Sequence, residues 1–270
     1  MIKRFHEAPR SIFKKVQELT DGDYFLVHLF ETDAEYLTLA KNAVADGREV
    51  ILDASTFELG KAFDMERYAY WIEELKPTYY VIPDALDDME KTKSLAKRWM
   101  TLFASSLPGH MIGVVQGMNY EECAHLYMWL DRELGPEDKI ALSFDSMWYE
   151  LAFPYPNKLV SWCFGRVFFI NKLMQDGIIN KDRKHHLLGC SLPMEFMFYR
   201  SKGHGFIDSM DSSNPVTAGL KSTRYGAFGL SSKPEGKMCD MMDCPVEPWT
   251  WDDITHNIHL FTSFCNLDWF

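Results

Sequence analysis

No stretch of this chain reaches the roughly 18 consecutive apolar residues that a membrane-spanning helix needs. Its first residues, Met1-Ile-Lys-Arg-Phe-His6, lack the apolar core of a secretion signal. Only six cysteines occur in 270 residues, irregularly spaced, which excludes a disulfide framework. Basic residues are in deficit, 28 against 39 acidic, for a net charge of -11. That balance argues against broad, charge-driven nucleic-acid binding, which depends on many Lys and Arg contacts. There is no repeat and no low-complexity tract. A soluble, cytoplasmic protein with reduced thiols and no membrane association is the expectation.

What is present is apolar and aromatic: 47% hydrophobic and 14% aromatic residues, enough for one large core. Strand-like and helix-like segments alternate. Tyr24–Phe30, Glu49–Asp53, Thr78–Pro83, His110–Val115, Lys139–Phe144, His185–Cys190 and Phe206–Met210 read as strands. Helical spacing covers Asp33–Ala45, Asp64–Leu75, Asp87–Phe103, Asn119–Glu133 and Pro193–Ser201. Pro156–Met174 reads equally as one buried helix or as a strand and a helix. Such alternation predicts an α/β fold with parallel strands. A (β/α)8 TIM-like barrel fits the length and is preferred over a doubly wound sheet, with seven strands assigned and an eighth unplaced. The barrel is expected over 1–230. A small Cys/His-bearing helical subdomain is expected over 231–270, with a turn-rich start at Lys233-Pro-Glu-Gly-Lys237 and a helix from Trp251 onward.

Four apolar runs end in a residue able to do chemistry: Glu49-Val-Ile-Leu-Asp53, Tyr79-Tyr-Val-Ile-Pro-Asp84, Ile112-Gly-Val-Val-Gln116 and Phe206-Ile-Asp-Ser-Met-Asp211. In a parallel barrel all strand C-termini share one mouth, so these four side chains are expected to meet there. Taken singly, each carboxylate reads equally as a helix cap or turn residue. Gln116 between Gly113 and Gly117 is harder to explain by packing, and Gly117 suggests a close backbone approach or a positive φ. Cys239 and Cys244, with His256, supply three of the four ligands of a structural zinc, though C-x4-C is a loose spacing.

In their order these segments resemble the tRNA-guanine transglycosylase family. Asp53-Ala-Ser-Thr-Phe-Glu58 is similar to its D-S-G-G-F-Q, with the Asp and the aromatic kept. Gly113-Val-Val-Gln-Gly117 matches G-[IV]-V-Q-G, and His186-Leu-Leu-Gly-Cys-Ser-Leu-Pro193 is similar to Y-L-M-G-V-G-T-P. Met210-Asp-Ser-Ser-Asn-Pro215 corresponds to F-D-C-V-L-P, and Pro83-Asp84 falls at the family's F-D-E. Cys239 and Cys244 take the first and third Cys positions of C-x-C-x2-C. Met241 stands in the middle position, and Thr255-His-Asn-Ile258 is similar to E-H-N-I. The altered motifs and short length look most like the DNA-guanine transglycosylases of phage and bacterial DNA-modification systems.

The resemblance implies exchange of guanine in DNA for a 7-deazaguanine base, through a covalent glycosyl intermediate on Asp211. It makes Asp53 the general acid/base and Asp84 the reader of guanine's N1–H and amino group. Gln116, Gly117, Phe57, Leu188 and Gly189 become base contacts, and Lys221 and Arg224 phosphate contacts. Zinc is implied on Cys239, Cys244 and His256, with Asp240, Asp243 or Cys265 as candidates for the fourth ligand. Related transglycosylases form homodimers, often through the zinc region. The rival readings are the same exchange on tRNA, a non-catalytic barrel that binds nucleic acid or a partner, and a metal-dependent hydrolase with ligands such as His28 and His185.

Overall fold

The structure is a computed structural model and describes residues 1–144, 146–199, 202–232 and 236–266. The turn expected at 233–235, the last two residues of the helix expected over 193–201 and the chain beyond 266 lie outside the described residues. The chain begins β1 (Lys3–Phe5), α1 (Phe13–Gln17), β2 (Asp23–Leu26), α2 (Ala34–Ala45) and β3 (Val50–Asp53). Next come α3 (Thr56–Leu59), α4 (Met65–Leu75), β4 (Tyr79–Val81), α5 (Met89–Leu102), β5 (His110–Val115) and α6 (Tyr120–Glu133). Then follow β6 (Lys139–Ser143), α7 (Met147–Ala152), α8 (Lys158–Gln175), β7 (His185–Leu188), β8 (Ile207–Asp211), α9 (Asn214–Leu220) and α10 (Pro248–Asn266).

All eight strands pair in parallel, in the order β1-β8-β7-β6-β5-β4-β3-β2. The flanking strands β1 and β2 nearly meet: the Arg4 carbonyl accepts from Asp21 N–H at 2.9 Å and from Gly22 N–H at 3.4 Å. The result is a nearly closed (β/α)8-type barrel. The strand missing from the sequence reading is β1, whose three residues are too few to show a period.

Local chemistry explains most boundaries. The carboxylates of Asp33, Asp64 and Asp88 and the amide oxygen of Asn119 each accept a backbone N–H at 2.9 Å, three residues on, at the starts of α2, α4, α5 and α6. Each such cap contributes about 1 kcal/mol. The run expected as one strand over Tyr24–Phe30 changes at Leu26 into a 3-10 helix, Val27–Glu31. Leu26 pairs with Asp53, the last residue of β3, so the following residues have no ladder to extend. The ambiguous run after Pro156 is one helix, α8, capped by the Asn157 side chain. Pro193–Phe198 is a 3-10 helix rather than an α-helix. The polar turn expected after Asp211 continues into α9, with Pro215 in its first turn. Helix α10 packs on α9 and buries Ile254, Ile258 and Phe261. Among the described residues no helix is long and apolar enough to cross a membrane.

Arg166, on α8, is fully buried against the C-terminal ends of β6 and β7. Its Nε and Nη2 grip both oxygens of fully buried Glu195, at 2.7 and 2.8 Å. Nη1 donates to the carbonyls of Leu142 and Leu188, at 3.1 and 2.8 Å, and Nη2 also reaches Cys190 Sγ at 3.0 Å. All five guanidinium N–H groups are thus engaged. Replacing Arg166 with Met would leave Glu195 as a buried charge without its partner. The expected loss is about 3–5 kcal/mol in urea unfolding, and an unchanged midpoint would show that the guanidinium does not hold this corner.

Candidate functional site

The strand ends converge as the parallel order requires. Asp53 ends β3, Asp84 lies three residues beyond β4, Gln116 directly follows β5, and Asp211 ends β8. All four line one cavity of about 470 Å³, together with Phe57, Leu188 and Gly189. That volume is within the usual range for small-molecule sites. Gly117 does not line it. A Cβ there would strike the Glu122 and Cys123 side chains at 2.9 and 3.0 Å, so this glycine serves the close approach of α6 rather than a ligand.

Asp53 is held from two sides. Its Oδ2 accepts from the Tyr24 hydroxyl at 2.5 Å, and its Oδ1 from Ser55 N–H. Ser55 adopts a left-handed backbone, φ 58°, which turns the chain sharply behind the carboxylate. Burial, reinforced by the Glu58 carboxylate, pushes the Asp53 carboxyl up to about 8, against the opposing hydrogen bonds from Tyr24 and Ser55.

Asp84 and Gln116 form a pair. Gln116 Nε2 donates to Asp84 Oδ2 at 2.8 Å, while its Oε1 accepts from Asp87 N–H at 3.2 Å. The second bond fixes the orientation of the amide. Asp87 is itself left-handed, φ 54°, on the loop between β4 and α5. Burial raises the Asp84 carboxyl despite the hydrogen bond from Gln116.

Asp211 is also gripped. Its Oδ1 accepts from Gly189 N–H and from His186 Nε2, both at 2.9 Å. Gly189 has φ +69°, a conformation a side chain would strain, and it aims this N–H at the carboxylate. Phe57 and Leu188 complete the apolar lining, and Lys237 Nζ lies 5.3 Å from the centre of the Phe57 ring.

Several lining residues escaped the sequence reading. Glu7, two residues past β1, is buried in the cavity wall. Its carboxyl is raised far above the ordinary range by burial and then by the carboxylates of Asp211, Glu58 and Asp53. Glu58, raised by burial, stands where the family motif carries Gln. Lys237 donates to the Glu58 carbonyl at 2.9 Å, so the segment expected to hold zinc instead supplies part of the wall. Among the described lining residues, Lys237 is the one cation against the carboxyls of Glu7, Asp53, Glu58, Asp84, Asp211 and Asp240.

The remaining expected residues lie elsewhere. Lys221 and Arg224 are exposed and do not line the cavity. Arg224 pairs with Asp253 at 3.3 Å and donates to His256 Nδ1 at 3.1 Å. His256 Nε2 then donates to the Tyr225 carbonyl at 3.1 Å, which leaves the ring no free nitrogen for a metal. Among the described residues no group of His, Cys, Asp or Glu side chains converges to hold a metal ion. Cys239, Cys244 and His256, as arranged, do not fit the zinc expected of them. His185 faces Tyr127 and the Arg183 carbonyl rather than the cavity, which removes it as a hydrolase ligand.

No known protein-family model matches the chain, and comparison with curated proteins finds no match.

The raised carboxyl of Glu7 has a cost for folding. The folded protein keeps this proton to higher pH than the unfolded chain, so stability falls as pH rises from the ordinary carboxylate range through the raised pKa. Glu7→Gln removes that loss. Its melting temperature is expected to exceed that of the parent increasingly as pH rises, and the two should converge in acid. A constant offset, or a gain confined to acid, would contradict the assignment.

Proposed function

We propose that this chain is a base-exchange transglycosylase that replaces guanine in DNA with a 7-deazaguanine base. The observation that carries the reading is the convergence of Asp53, Asp84, Gln116 and Asp211 on one cavity, at the positions where the motifs resemble the guanine transglycosylases. Supporting it is the contrast between the two candidate catalytic carboxyls. Asp53 is pushed up to about 8 and keeps its proton at neutral pH, while Asp211 accepts two hydrogen bonds on one oxygen. An acid and a nucleophile kept apart by environment is the pattern of retaining glycosyl transfer.

The steps balance as follows. An Asp211 oxygen attacks C1′ of the target nucleotide as the C1′–N9 bond breaks. The bonding pair passes to the purine, which takes the Asp53 proton and leaves as neutral guanine. The 7-deazaguanine then enters and gives its N9 proton to the Asp53 carboxylate. Its nitrogen attacks C1′, and Asp211 departs. The nucleic-acid strand stays intact, and the target nucleotide must flip out to reach the cavity. Guanine's N1–H and amino hydrogens are two donors that favour the carboxylate form of Asp84 against its burial, and adenine, lacking that donor pair, would leave it unpaired. Phe57 and Leu188 flank the ring. No step uses a metal.

The test is to incubate the protein with a labelled 7-deazaguanine and either DNA or tRNA, then analyse the nucleosides by mass spectrometry. Label in a 7-deaza-2′-deoxyguanosine nucleoside from the DNA is expected, label in tRNA alone would move the substrate, and label in neither would overturn the reading. Asp211→Asn should abolish any denaturation-resistant adduct and cut exchange on the order of 10⁴-fold or more.

The Asp53 assignment makes a separate claim on the pH profile. Exchange should decline as pH rises through about 8, where the proton donor is lost. Tyr24→Phe removes a hydrogen bond that favours the carboxylate, so its alkaline limb is expected at higher pH. Glu58→Gln removes a repulsion, so its limb is expected at lower pH. Shifts of the same sign would contradict Asp53 as the titrating group.

A further inference from the structure

We infer that His186 is the positioning residue that aims the Asp211 carboxylate, acting as a neutral imidazole whose proton is fixed on Nε2 by Ser209 and Lys139. The inference rests on the reading of Asp211 as nucleophile, but its geometry stands by itself. A continuous hydrogen-bonded line runs through the barrel interior from Lys139, the first residue of β6, to Asp211, the last residue of β8. Lys139 is fully buried, donates to Ser209 Oγ at 3.1 Å and to Glu49 Oε1 at 3.4 Å, and forms an ion pair with Asp208 at 2.7 Å. An ammonium carries three donors and no acceptor, so in this contact Ser209 Oγ is the acceptor.

Direction follows by elimination. Ser209 Oγ accepts from Lys139, and its own hydrogen needs an acceptor. His186 Nδ1 lies 2.9 Å away and provides one. A ring accepting at Nδ1 carries its proton at Nε2, which points at Asp211 Oδ1 at 2.9 Å. An imidazolium would leave the Ser209 hydrogen without this acceptor, and complete burial of the ring also opposes the charge. The Tyr24 ring lies parallel to His186 at 6.5 Å and Phe5 meets it edge-on at 6.4 Å, so the plane of the imidazole is fixed as well. Both donors, Nε2–H and Gly189 N–H, land on Oδ1. Oδ2 is therefore the oxygen turned to the attack on C1′.

Angular error at a nucleophile costs rate rather than affinity, and a misplacement of 1 Å can cost roughly 100-fold. Ser209→Ala leaves His186 in place but frees its tautomer. His186→Phe removes the donor, and His186→Gln restores an N–H at the position of Nε2. In single-turnover exchange, Ser209→Ala and His186→Phe are expected to lose roughly 10- to 100-fold in rate with the KM for the free base unchanged. His186→Gln should recover most of that loss. A raised KM at unchanged rate, or no rescue by Gln when all three variants melt as folded proteins, would overturn the inference.

The tautomer has its own readout that needs no activity. Ring ¹⁵N shifts of the free protein, with His186 assigned among the nine histidines by its absence in His186→Gln, should show a protonated Nε2 and a bare Nδ1. A proton on Nδ1 would refute the line as drawn. If the parent protein exchanges no base on any nucleic acid, the base-exchange reading fails while these shifts still decide the state of His186.

Discussion

The interior of this barrel depends on one buried guanidinium. Arg166 reaches from α8 to the carbonyls at the ends of β6 and β7, to Cys190 and to both oxygens of Glu195. Glu195 in turn accepts from the Tyr199 hydroxyl at 2.7 Å. The consequence is positional. The Leu188 carbonyl is held by Arg166, the next residue is Gly189, and its N–H holds Asp211. A structural ion pair on the outside of the sheet thereby fixes the chain that orients the proposed nucleophile on the inside.

Against that rigid frame the cavity concentrates like charge. Glu7, Asp53, Glu58, Asp84 and Asp211 share one space, and burial raises four of them. Water would solvate carboxylates more favourably than this pocket does, so burial biases Glu7, Asp53, Glu58 and Asp84 toward their neutral forms. Two non-glycine residues in left-handed conformations, Ser55 and Asp87, lie on the same loops. Strain and unfavourable charge gathered in one place are the mark of a site shaped for chemistry rather than for stability.

Much of this was legible in the amino-acid sequence, for identifiable reasons. Strand β5 was read to the residue, and α2 was placed with its cap at Asp33, because a buried strand and a capped amphipathic helix both write a clear pattern. The four convergent side chains were legible because each follows an apolar run. Strand β1 and Glu7 were not, since three residues carry no period and their partner β8 lies about 200 positions away. Helix α9 hid behind a Ser-Ser-Asn-Pro turn signature. His186 looked like an ordinary strand residue, because its role comes from Ser209 and Asp211 across the sheet. The expectation at Cys239, Cys244 and His256 followed local spacing, whereas the fold gives His256 to Arg224 and Tyr225.

The pairing of β1 with β8 also bears on how the molecule is made. Phe5 sits opposite Asp211, so the barrel cannot close until the chain through β8 has left the ribosome. The wall formed by Lys237 over Phe57 joins residues about 180 positions apart and arrives later still. During synthesis β2 through β7 would wait as an incomplete parallel sheet with two bare edges. Such long-range closure is slow. The nascent chain is therefore most exposed to misassembly shortly before the cavity first exists.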